Sequence, residues 1–115
     1  MKAVFIDAKN QTVEDIEIEN DLNAFYEKIG CEIVQIVPRR SSTDPEFIVC
    51  DEEACFKEIR CGFHFGSWCI LGNALIVDIR KRGKTRRDCD ADFTDAKRTA
   101  AEIRNEVRFF KRYDA

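Results

Sequence analysis

Three groups of residues in this 115-residue chain have the types that carry chemistry. Cys55, Cys61, His64 and Cys69 form C-x5-C-x2-H-x4-C, a set of thiolate and imidazole ligands that zinc accepts. Spacing argues against that use. No C-x2-C pair is present, and an extended "RCGFHF" sends Cys61 and His64 to opposite faces of a strand. The same cysteines with His64 could supply a thiol nucleophile and its base, but the chain has one histidine and no evident third group to orient it. Buried thiols beside a strand histidine are the simpler reading, so no metal and no other cofactor is expected.

The second group is "KRGKTRRDCDADF", residues 81 to 93. Asp88, Asp90 and Asp92 open like a calcium loop, with oxygen ligands at positions one, three and five. The match then fails, because the glycine of position six is Phe93 and the bidentate acid of position twelve is Thr99. Negative charge ahead of a helix start is the simpler role. Before the aspartates stand Lys81, Arg82, Lys84, Arg86 and Arg87, cations suited to phosphate or to an acidic protein surface.

The third group, Asp51, Glu52 and Glu53, sits at a turn. Paired acid/base carboxylates need environments that split their pKa values, and a solvated turn gives none. No phosphate-cradling glycine loop or nucleophile elbow occurs by motif. The expectation is therefore a protein that binds and is not an enzyme.

Alternating apolar residues predict a hairpin over "MKAVFIDAKNQTVEDIEIEN", with Ile16 and Ile18 facing away from Asp15, Glu17 and Glu19. "NDLNAFYEKIGC" predicts a short helix: Asn20 or Asp21 caps it, Leu22, Phe25, Tyr26 and Ile29 form the apolar stripe, and Gly30 supplies the left-handed stop. "CEIVQIVP" and "EFIVCDEEA" read as strands separated by a loop, "RRSSTDP". From Phe56 to Ile79 the pattern is further strand, broken at Gly62, Gly66 and Gly72, with "NALIVDI" as the central strand. Phe63, Phe65 and Trp68 belong to the core, or else to a base-stacking surface.

A long helix is predicted from about Phe93 to Tyr113, with Asp92 as its cap and Asp95 as an acidic partner in the first turn. Ala96, Ala100, Ile103, Val107 and Phe110 form its buried stripe. Arg104, Arg108, Lys111 and Arg112 line a neighbouring face, where like charges at i,i+4 repel unless an anion lies nearby. The expected class is α+β: a mostly antiparallel sheet, one short helix after the first hairpin, and this long C-terminal helix packed on the sheet.

At this length the chain is read as a single domain. The net charge of −3 conceals a division. Residues 1–79 carry 7 Lys/Arg against 15 Asp/Glu, a balance of −8, and residues 80–115 carry 12 against 7, a balance of +5. Two surfaces of opposite sign favour a charged partner or pairing of two copies end to end, although the basic segment could simply lie across the acidic sheet. No apolar run approaches the roughly 20 residues of a membrane span, and "MKAVFIDAKN" lacks an apolar signal core. A cytoplasmic location follows as an expectation, with the six cysteines as free thiols.

The opening "MKAVFIDAKNQTVEDIEIEN", the "LNAFYEKIGCEIVQIV" after it and the "VCDEEACFK … ILGNALIVDI" block resemble a small domain family of unknown function from bacteriophage and other mobile-element genomes. Where similar proteins carry glycine, this chain has Ala54 and Asp78. The resemblance implies an accessory protein acting in the host cytoplasm. Such a protein occupies a surface of a host defence component, in the manner of anti-restriction or anti-CRISPR inhibitors. The expected contact residues are Arg82, Arg86, Arg87, Arg104, Arg108, Lys111 and Arg112. They would meet a host protein or a nucleoprotein. Direct nucleic-acid binding through the same cations is one alternative, and sequestration of a small nucleotide near Gly62, Gly66 and Trp68 is another.

Overall fold

The computed structural model describes residues 1–38, 45–81 and 91–111. Strand β1 (Lys2–Asp7) and strand β2 (Thr12–Glu17) form the first hairpin, with Ile6 opposite Val13 and Ala3 opposite Ile16. Helix α1 (Leu22–Ile29) follows. Asp21 caps it by accepting from the Asn23 N–H, and Gly30 ends it at φ 84°, a left-handed conformation that a Cβ would penalise. Strands β3 (Val34–Pro38), β4 (Glu46–Asp51), β5 (Cys61–Phe65), β6 (Trp68–Leu71), β7 (Ala74–Lys81) and β8 (Ala91–Thr94) come next, then helix α2 (Ala100–Arg104) and strand β9 (Val107–Lys111).

These strands make two antiparallel sheets. The larger runs β2-β1-β7-β4-β3, with β8 paired to the far half of β7, and the smaller runs β6-β5-β9. Apolar runs in β1, β4 and β7 are continuous because both faces of the larger sheet are covered. One face carries Ala3, Phe5, Val49, Leu75 and Val77 beneath Phe25 and Ile29 of α1. The other carries Val4, Ile6, Ile48, Cys50, Ala74 and Ile76 against Phe63, Phe65 and Ile70 of the smaller sheet and Ala100 and Ile103 of α2. The order of layers is helix, sheet, sheet.

The long C-terminal helix is not formed, and the class is mostly β rather than α+β. Of the span from Phe93 to Tyr113, only Ala100–Arg104 is α-helical among the described residues. Residues 91–94 are β8 instead, and the Ala96 N–H donates to the Lys2 carbonyl at 2.9 Å. β7 outruns β1, which pairs only with Ala74–Ile76. Its residues Asp78–Lys81 would leave ladder groups unpaired, and β8 supplies their partners. Thr99, not Asp92, caps the short helix, in a reciprocal capping box with Glu102.

After Asn105 the chain re-extends, since "VRFFK" is rich in residues that fit a pleated surface and finds a ladder on β5. The expected stripe is thus divided between elements: Ala100 and Ile103 are buried on α2, while Val107 and Phe109 pack from β9. Phe110 falls on the opposite face of β9. Among the described residues no helix is long and apolar enough to cross a membrane.

Candidate functional site

Alternation assigns the smaller sheet an inner and an outer face. Phe63, Phe65, Ile70, Val107 and Phe109 point into the core. Gly62, His64, Cys69, Leu71, Arg108 and Phe110 therefore share the outer face. There His64 stands directly between Cys69 on β6 and Arg108 on β9, and Gly62 between Leu71 and Phe110. His64, Cys69 and Arg108 are exposed.

The Phe110 ring lies over Gly62 and against His64, ring centroids 5.0 Å apart and planes at 42°. A Cβ on Gly62 would come 2.8 Å from Phe110 Cζ and 2.2 Å from the Ile70 carbonyl oxygen, so only glycine permits this approach. The glycine that reads as a strand break in sequence is instead interior to β5. An open cleft of about 460 Å³ adjoins this face, lined by His64, Gly66, Asn105, Glu106 and Arg108.

The one carboxylate in that cleft is already engaged. Arg98 donates to Glu106 through Nη1, and to Glu46 through Nε at 2.8 Å and Nη2 at 2.7 Å. Hydrogen bonds to Glu46 and then Glu106 hold the guanidinium above its ordinary pKa, against burial, which acts the other way. Glu46 is buried, and so is its cross-strand neighbour Asp78, with Lys97 Nζ 3.9 Å from the Asp78 carboxylate. At the far end of β4, Asp51 accepts from Lys57 Nζ at 2.7 Å, which raises the lysine pKa.

Arg98, Lys97 and Lys57 are thus paired with carboxylates of this chain, whereas Arg104, Arg108 and Lys111 have no such partner among the described residues. All three are exposed, and among the described residues no carboxylate lies within ion-pair distance of them. Their arrangement differs from one helical row. Arg104 ends α2, Arg108 lies on the outer face of β9, and Lys111, three residues on, alternates to the other side opposite Cys61. Arg82, Arg86, Arg87 and Arg112, like Lys84, Asp88 and Asp90, lie outside the described residues.

Cys55, Cys61, His64 and Cys69 are not gathered into one site. Cys61 and His64 occupy opposite faces of β5, and among the described residues no three His, Cys, Asp or Glu side chains are placed to hold a metal ion. Cys69 and His64 face each other across strands, but no hydrogen bond joins them. The described cysteines are free thiols. Burial, with the Asp51 charge, pushes Cys50 up to about 11 and raises Cys31 as well. Phe63 and Phe65 are fully buried, and Trp68 donates from Nε1 to the Pro38 carbonyl at 3.0 Å. No family model, curated protein or solved structure matches the chain.

Sequence reading missed both the Arg98 network and the Phe110–His64 pair. A signal existed for the first: T-A-A-E at 99–102 is a capping box, which puts the helix start after Arg98 and leaves that arginine in a loop. For the second, "VRFFK" alternates like a strand, but which strand it joins is a tertiary fact.

Proposed function

We propose that this protein works by occupancy: a non-enzymatic binding module that docks on an acidic host protein or nucleoprotein through the cations of α2 and β9. The observation that carries this reading is the contrast between Arg98, Lys97 and Lys57, each held by a carboxylate, and exposed Arg104, Arg108 and Lys111, for which no described carboxylate is in reach. Arginine is well suited to such contacts because its planar fork meets carboxylates and phosphates with two parallel bonds. Neither a cofactor nor an active site is required.

The resemblance to phage accessory domains supports the further step that the partner is a component of host defence, met in the host cytoplasm and inhibited by being covered. Affinity capture from a bacterial lysate, with and without nuclease, tests the docking. The wild type should retain a defined partner that Arg104→Glu/Arg108→Glu/Lys111→Glu does not. Undiminished capture by that variant removes the assignment.

A further inference from the structure

We propose that the outer face of the β6-β5-β9 sheet binds single-stranded nucleic acid, with a base stacked on the Phe110–His64 ring pair and the adjoining phosphate held by Arg108. This rests on the cationic-surface reading above and gives that surface its ligand.

The face has the two features such a ligand needs. Two π-systems stand side by side at 5.0 Å on an outward surface, and the base-stacking that serves single strands is indifferent to sequence because every base has a π-face. A guanidinium stands beside them: Arg108 is the direct cross-strand partner of His64 and has no carboxylate partner among the described residues. Glu106, the carboxylate of the adjoining cleft, is turned to Arg98. Arg104 ends α2, four residues before Arg108.

The ring pair decides between occupants. An acidic protein surface would be met by the cations alone and gives the exposed imidazole and the half-buried phenyl no partner. A duplex keeps its base faces stacked inside and presents only edges and phosphates. A single strand uses both features at once. Gly62 carries no Cβ, which would stand 2.8 Å from Phe110 Cζ, and over it Phe110 lies across β5 beside His64.

Fluorescence anisotropy with labelled 12-nucleotide DNA and RNA single strands, and with a duplex of the same sequence, tests this on the full chain. Single strands should bind at low salt at least about tenfold tighter than duplex, and the DNA and RNA arms distinguish the two sources. Phe110→Leu keeps an apolar cover over Gly62 and should lose about tenfold in affinity with an unchanged salt slope. His64→Ala, at an exposed position, should lose affinity without loss of fold. Arg108→Gln should weaken binding and reduce the slope of log affinity against log salt by about 0.7. Equal binding of duplex and single strand, full affinity in both ring variants, or no binding at low salt overturns the proposal. Lysate capture separates this failure from that of the docking itself. A partner that survives nuclease but is lost on charge reversal leaves the docking standing, and capture of no partner counts against the docking alone.

Discussion

The Phe110 ring occupies the space in which a side chain on residue 62 would sit. A Cβ there would lie 2.8 Å from Phe110 Cζ, and the Ile70 carbonyl oxygen is closer still, at 2.2 Å. Gly62→Ala should therefore cost about 2–3 kcal/mol by overpacking. Adding Phe110→Ala should not restore stability, because the backbone carbonyl remains in the way. Urea midpoints of the single and double variants check this, and full rescue by the double variant would place the conflict on the ring alone.

Arg98→Met removes the two hydrogen bonds to buried Glu46 and the one to Glu106. The expected loss is roughly 3 kcal/mol, because a largely buried charge pair loses one of its members. Glu46→Gln on the Arg98→Met background should return part of the loss. Thermal or urea unfolding of both variants measures it, and additive losses in the double variant would contradict the pairing.

Cys50 makes stability depend on alkaline pH. Its thiol ionises near 9.0 in the unfolded chain and at about 11 in the folded one, raised by burial and by Asp51. The folded state therefore holds the proton more tightly. The contribution is complete below pH 9 and is lost as pH rises from 9 to 11, on the order of 2–3 kcal/mol in all. In Cys50→Ala the fall of the urea midpoint over that window should be shallower. A thiol-reactive dye at pH 8 should label exposed Cys55 and Cys69 well before Cys50.

Thr99→Ala removes the hydroxyl that accepts from the Glu102 N–H and should cost about 1 kcal/mol. Asp92→Ala should leave α2 unaffected, since Asp92 lies on β8 and does not cap that helix. Unfolding midpoints of the two variants distinguish the short helix from one starting at Phe93.

The legible part of this fold was local. The hairpin of β1 and β2, the capped helix α1 and the apolar β7 each satisfy their own hydrogen bonds or period within a few residues, and they stand where the sequence puts them. The C-terminal third was not legible, for two physical reasons. Ala96, Ala100, Ile103, Val107 and Phe110 keep a helical period, but the span also contains Thr99 and Asn105, which cap and stop a helix of five residues. The pull towards strand comes from elsewhere: unpaired ladder groups on β7 draw in β8, and β5 draws in β9. The cations were legible as residues but not as a surface, because a strand sends Arg108 and Lys111 to opposite sides where a helix would have aligned them.

The most direct test compares two charge-matched variants in nuclease-treated and untreated lysate capture. One reverses Arg104, Arg108 and Lys111 to glutamate, and the other reverses Lys2, Lys9 and Lys28, exposed cations of β1, the first turn and α1. The first should lose the captured partner, while the second retains it as the wild type does. Equal retention by both variants, or equal loss from both, would contradict a contact surface on α2 and β9.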